Sequence, residues 1–177
     1  MIQTPDPLAE ARRLWTKSHK AFRQRNYARA AELMQTLLAQ IGEAGGAVDP
    51  APVHLQLGIT LLRLKQTEQG VLELRRSVEL DPSVGRAHYK LGLGLARLGR
   101  NDEALVSFRQ AVALAPQTPD HQWRLGEELR RRGRRPEALA AVRRSLELQP
   151  DHTEALASMA AMQQGWLSRL ARRLGLG

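Results

Sequence analysis

Residues 85–118 read GRAHYKLGLGLARLGRNDEALVSFRQAVALAPQT. They contain Leu91-Gly92, then Ala104, Phe108 and Ala111, and they close on Pro116 near the end of the stretch. One period of 34 residues earlier, the same slots hold Leu57-Gly58, Gly70, Leu74, Ser77 and Pro82. One period later they hold Leu125-Gly126, Ala138, Val142, Ser145 and Pro150. No insertion separates the copies 51–84, 85–118 and 119–152. A fixed period of ~34 residues is the spacing of a helix-turn-helix solenoid, in which each helix pair buries its apolar face against the next.

Each copy predicts two helices. The first run over about 51–64, 85–98 and 119–132, and the second over about 67–80, 101–114 and 135–148. The turns between them are Lys65-Gln66, Gly99-Arg100 and Gly133-Arg134, two of which use glycine as a helix stop. Asn101 suits an N-cap, and Asp102 and Glu103 suit the positive end of the helix dipole. Asp81-Pro82, Ala115-Pro116 and Gln149-Pro150 end the second helices, because proline cannot extend the helix before it. Gly58, Gly92 and Gly126 fall inside first helices, where glycine costs ~1 kcal/mol against alanine. That cost, met three times at one spacing, predicts a close seam whose opposite wall is Gly70, Ala104 and Ala138. Gly92→Leu should overpack it and cost ~1–3 kcal/mol.

The flanks read as a worn copy and a cap. Residues 1–50 predict a degenerate helix pair and a loop. Asp6 and Pro7 open a helix to about Arg25, with Leu8, Ala11, Leu14, Trp15, Ser18 and Phe22 on one face. Asn26 caps a second helix from Tyr27 to about Ile41, with Ala30, Leu33, Met34, Leu37 and Leu38 inward. The glycine-rich loop Gly42–Pro50 then shifts the frame by 6 residues. Residues 153–177 predict a terminal helix with Leu156, Met159, Ala160 and Met162 apolar, followed by a basic amphipathic segment over 166–177.

This pattern resembles the tetratricopeptide repeat (TPR) family. The middle copy carries the likeness best, in Leu91, Gly92, Leu95, Gly99, Ala104, Phe108, Ala111 and Pro116. The likeness is strong over 51–152 and weak over 11–41. His54, His88 and Gln122 depart from it, standing where the family often has tryptophan. The resemblance implies an all-α fold: a right-handed superhelix of antiparallel helix pairs. It would hold three regular repeats, one degenerate N-terminal pair and a C-terminal capping helix.

Composition narrows the chemistry. The chain carries 27 basic and 18 acidic side chains, a net charge of +9, and the excess is spread over its whole length. Such a balance favours acidic partners or surfaces without specifying nucleic acid. There is no cysteine, which removes disulfides, thiolate metal sites and a cysteine nucleophile. No window approaches the ~18–20 apolar residues that span a bilayer, and the first residues lack a signal-peptide core. A cytoplasmic protein is the expectation. No phosphate loop, GxGxxG, HExxH or GxSxG pattern occurs. His19, His54, His88, His121 and His152 are spread through the chain and are read as packing or surface groups. Glu127 and Glu128 diverge by ~100° on one helix and make no paired-carboxylate site. The expectation is therefore a protein that is not an enzyme, with no cofactor and no metal.

The resemblance also implies a concave groove lined by first helices. The first helix pair, less surely in register, gives Arg12, Trp15, His19 and Arg23 to it. The first regular repeat gives Leu55, Gln56, Ile59, Leu62 and Arg63. The second gives Arg86, Tyr89, Lys90, Leu93 and Arg97, and the third Trp123, Arg124, Glu127, Arg130 and Arg131. Guanidiniums offer planar forks to carboxylates, and aromatic rings give anchoring area. These residues suit an acidic or amphipathic segment of a partner protein. The two-carboxylate clamp of the family's chaperone-tail-binding subclass is not implied, because its asparagine slot holds Ile59, Leu93 and Glu127. The leading expectation is a protein-protein interaction scaffold or adaptor. Two alternatives stand beside it: binding of nucleic acid or another anionic surface through the basic face, and a docking or regulatory subunit of a separately encoded enzyme. Self-association and membrane-surface contact through 166–177 are further expectations. A second basic row, Arg75-Arg76, Arg109 and Arg143-Arg144, is read as a solvated, partly ion-paired face.

Overall fold

The computed structural model describes residues 7–43 and 48–173, and every element among them is an α-helix. In chain order these are α1 Pro7–Arg23, α2 Tyr27–Glu43, α3 Ala51–Arg63, α4 Thr67–Leu80, α5 Gly85–Arg97, α6 Asn101–Leu114, α7 Pro119–Arg131, α8 Arg135–Leu148 and α9 Thr153–Arg173. The regular helices start where the repeat predicts and stop within a residue of it. The architecture is a helical solenoid of consecutive helix pairs. It divides into two compact units, Met1–Arg100 and Asn101–Gly177.

In the first unit α1 packs on α2, α2 on α3, α3 on α4 and α4 on α5. The core runs through Leu14, Ala30, Met34 and Leu37 into Val53, Leu57 and Leu61, so the degenerate pair seats directly on α3. Full burial of each Leu stabilises by roughly 1.5–3 kcal/mol. The inward face of α1 is the expected one except at its start. Leu8, the second residue of the helix, is 42% exposed. Asn26 caps α2: its Oδ1 accepts the Arg29 N–H at 3.1 Å. Asp49, just before the N-cap Pro50 of α3, accepts the Ala51 N–H at 2.9 Å. Its expected counterpart, Asp6, lies outside the described residues, as do 44–47 of the glycine-rich loop.

In the second unit α6 packs on α7, α7 on α8 and α8 on α9. The core contains Leu105, Leu129, Ala138, Val142, Ala155 and Met162. Helix α9 runs unbroken through Gly165. Among its described side chains the buried apolar ones are Ala155 and Met162, whereas Leu156 is 48% exposed. The inward stripe therefore follows 155, 159 and 162 and misses Leu156, which lies ~100° from Ala155. The side chains of 165–173 and all of 174–177 lie outside the description, and with them the expected basic segment of 166–177.

The small-residue seam is present at two of its three expected places, Gly58 and Gly126. A Cβ on Gly58 would stand 2.6 Å from Leu74 Cγ and 2.9 Å from the Gly70 carbonyl oxygen. One on Gly126 would stand 2.7 Å from Val142 Cγ2 and 3.1 Å from the Ala138 carbonyl oxygen. Gly94 forms a second seam absent from the sequence reading, since its Cβ would lie 2.6 Å from Val71 Cγ2 on α4. Two serines close the pairs from the other end. Ser77 Oγ donates to the Ala51 carbonyl at 3.0 Å, and Ser145 Oγ to the Pro119 carbonyl at 2.9 Å. In the turns, Gly99 and Gly133 adopt φ 71° and 73°. Lys65 fills the same slot at φ 63°, and Arg25 the matching turn after α1 at φ 60°.

Candidate functional site

The expected groove residues fall in two sets, one in each unit. In the first unit α3 and α5 touch, which brings their faces side by side. Of the residues expected there, Gln56, Ile59, Leu62 and Tyr89 are buried. Leu55, Lys90 and Leu93 are half-buried, and Arg63, Arg86 and Arg97 are exposed. The surface is thus an apolar floor with cations at its margins. Tyr89 is only 8% exposed, so its ring belongs to the floor, with the Lys90 ammonium 5.1 Å from its centroid. Arg97 is held in place: its Nη1 donates to the Leu62 carbonyl of α3 at 3.1 Å. Neither α3 nor α5 contains a single Asp or Glu. On α1, the Trp15 and His19 rings meet at a tilt with centroids 4.1 Å apart, and Arg12 and Arg23 are exposed. Arg12 and Trp15 also border a cleft of about 410 Å³ lined mainly by Leu8, Ala11, Leu37, Pro52 and Val53.

In the second unit the expected residues are engaged with one another and with α9. Trp123 donates its indole N–H to Ser158 Oγ at 2.9 Å and packs on His152 with centroids 5.5 Å apart. The Arg124 guanidinium lies 4.1 Å above the Trp123 ring. Its Nε is buried without a hydrogen-bond partner. Arg130 forks onto Glu127, with Nη2 2.9 Å from Oε2. Burial pushes the Glu127 carboxyl up, but hydrogen bonds from Arg130 and Ser158 and the charges of Arg130 and Arg131 outweigh it. The carboxyl is held below its ordinary range. The same bond and charge raise the Arg130 pKa. Arg131 lies 3.7 Å from Glu128, a carboxylate only 3% exposed that also takes Arg132 at 3.2 Å. Glu127 and Glu128 therefore serve separate ion pairs. Ser158 carried no sequence signal, because its role depends on where α9 lands.

The histidines are used within the fold. His88 Nε2 lies 3.0 Å from the Pro82 carbonyl oxygen, and Gln122 Nε2 lies 3.2 Å from that of Pro116. These are the same bond one repeat apart, so at the family's tryptophan position His88 and Gln122 tie α5 and α7 to the proline turns before them. His54 follows the frame shift, has no such proline, and pairs instead with Glu73 at 2.6 Å. His152 bridges to Asp120 at 2.9 Å, and His121 lies 3.2 Å from the Ala111 carbonyl oxygen. Among the described residues no three His, Asp or Glu side chains converge as metal ligands. No described helix is long and apolar enough to cross a membrane. On the second helices Arg76 pairs with Glu79 at 3.3 Å, Arg144 with Glu147 at 2.9 Å and Arg109 with Glu137 at 3.9 Å.

Comparison with known proteins agrees with this architecture. Residues 55–119 match the tetratricopeptide repeat family model. None of the curated proteins matches the sequence. Among solved structures, YrrB, described as a TPR protein with an unusual peptide-binding site, is similar with a TM-score of 0.71 at 24% identity. The match covers 84% of this chain and 73% of that one. MamA is similar with a TM-score of 0.77 at 19% identity, over 88% of this chain and 81% of that one. MamA 41-end from Desulfovibrio magneticus RS-1 gives 0.76 at 17% identity, over 94% of each chain. The 34-residue period, the glycine seams and the proline-closed pairs agree with that match: residues 55–119 carry tetratricopeptide repeat sequence within a helical solenoid of the same fold as these proteins.

Proposed function

We propose that this chain is a non-enzymatic interaction scaffold that binds an acidic or amphipathic peptide segment of a partner protein on the faces of its first helices. The observation that carries the reading is the charge asymmetry of the first unit. Helices α3 and α5 present Arg63, Arg86, Lys90 and Arg97 with no acidic residue between them. The second helix α4 mixes Arg75 and Arg76 with Glu68, Glu73 and Glu79. A cationic margin over an apolar floor suits a segment with carboxylates flanking apolar side chains. In the second unit Trp123 and Arg124 form a stacked pair that offers an aromatic-guanidinium edge. Glu127, Arg130 and Arg131 are occupied by their own ion pairs and act there as framework. The similarity to YrrB, a protein described as having a peptide-binding site, is consistent with the same class of ligand.

The basic row of the second helices gives the nucleic-acid alternative little support, because Arg76, Arg109 and Arg144 face carboxylates of the same fold. The test is affinity purification from a lysate, with captured proteins identified by mass spectrometry, for the wild type and a Lys90→Glu, Arg124→Glu variant. Loss of the same captured proteins from the folded variant is expected. Their undiminished capture contradicts the assignment.

A further inference from the structure

A pocket at the far end of the α3–α5 face differs from the rest of it. It is a cleft of about 390 Å³ bordered by Leu62, Arg63, Lys65, Thr67 and Arg97. Three of the five lining residues are cations and none is an acid. Glu68 follows Thr67 in sequence but is not part of the wall. Among the described residues neither Arg63 nor Lys65 forms an ion pair.

Two features show that the charges are placed rather than scattered. The Arg97 guanidinium crosses from α5 to α3, where Nη1 is fixed by the Leu62 carbonyl at 3.1 Å. That bond uses one of its five N–H donors and leaves the fork oriented. Lys65 occupies the turn slot that Gly99 and Gly133 fill in the other two regular repeats, with φ 63° against 71° and 73°. That left-handed conformation strains a residue with a Cβ and costs glycine nothing. A lysine kept there against this strain adds its charge to the wall of the pocket.

We infer that the Arg63–Lys65–Arg97 pocket is an anion subsite for closely spaced carboxylates of a peptide lying on the α3–α5 face. This rests on the peptide-binding reading above and extends it to Lys65 and Thr67, which lie outside the expected groove set. The guanidiniums of Arg63 and Arg97 supply planar forks, Lys65 a point charge, and the Thr67 hydroxyl a further donor.

The experiment is an NMR titration of the full chain, observing the arginine Nε–Hε signals and backbone amides. The probe is a short blocked peptide with adjacent glutamates among leucines, beside the same peptide with glutamines. The glutamate peptide is expected to shift Arg97 Nε–Hε and the amides of 63–67, and to bind more tightly than its glutamine form. Lys65→Gly, which restores the residue of the other repeats, should melt no lower than wild type yet bind the glutamate peptide ~5–10-fold more weakly. Arg63→Gln should weaken it to a similar degree. Unchanged affinity in both variants, with shifts elsewhere on α3 and α5, overturns the pocket and leaves the face standing. Absence of any shift with the glutamate peptide overturns both. Saturation of the pocket by inorganic phosphate, without discrimination between the two peptides, overturns the peptide assignment in favour of a small free anion.

Discussion

Trp123 gives its indole N–H to the Ser158 hydroxyl at 2.9 Å, and the same hydroxyl helps Arg130 to hold the Glu127 carboxyl below its ordinary range. One side chain of the terminal helix thus anchors the aromatic ring of α7 and favours the charged form of its acid. The terminal helix does more than cover an apolar end: it sets the rotamers of residues that sequence alone assigns to a ligand.

Replacing that hydroxyl should expose the dependence. Ser158→Ala leaves the half-buried indole donor without its partner, a loss of ~1 kcal/mol in chemical denaturation. The Trp123 emission should also change as its donor is released. An unaltered midpoint and spectrum would mean that the contact contributes nothing in solution.

Glu127 makes a pH prediction with a definite sign. Its carboxyl is depressed in the folded protein below the ordinary 4.5, so its ion pair contributes stability above that value. The contribution is lost as pH falls through the folded pKa. The stability gap between wild type and Glu127→Gln should be level above about pH 5 and close progressively below about pH 4. A gap that widens on acidification would reverse the assignment.

The seam glycines separate two opposing effects of one substitution. Gly42 and Gly58 are both helical, so alanine gains up to ~1 kcal/mol of helix propensity at either. At Gly42 an added Cβ meets nothing within 4 Å, whereas at Gly58 it meets Leu74 Cγ at 2.6 Å and the Gly70 carbonyl oxygen at 2.9 Å. Gly42→Ala should raise stability by ~0.5–1 kcal/mol, and Gly58→Ala should lower it by ~1–3 kcal/mol. Thermal melts of the two variants decide this.

The inter-repeat tie can be tested at Gln122, 8% exposed and bonded to the Pro116 carbonyl at 3.2 Å. Gln122→Leu keeps the volume and leaves that carbonyl without its side-chain donor, at a cost of ~1 kcal/mol. Hydrogen exchange at the first turn of α7 should quicken with it.

What the chain discloses before folding follows from range. The period, the Gly58, Gly70 and Gly126 seam and the left-handed turns at Gly99 and Gly133 are legible because each is local and repeats. So is the Asn26 cap, which acts three residues away. Legibility fails where a contact joins distant segments. Ser158 meets Trp123 across 35 residues, and Gly94 serves a seam between α5 and α4 that only one copy shows. Tyr89 is legible as a first-helix residue, but its burial is not. The Lys65 pocket was hidden for a related reason: its three cations sit on three elements, and the lysine occupies a slot whose other occupants are glycines.

The central claim is that a partner segment binds the first helices. Hydrogen-deuterium exchange of the whole chain, with and without a captured partner, tests it most directly. Protection concentrated in α3, α5 and α7, with α4, α6 and α8 unchanged, is the predicted result. Protection confined to the second helices, along Arg75-Arg76, Arg109 and Arg143-Arg144, would contradict it.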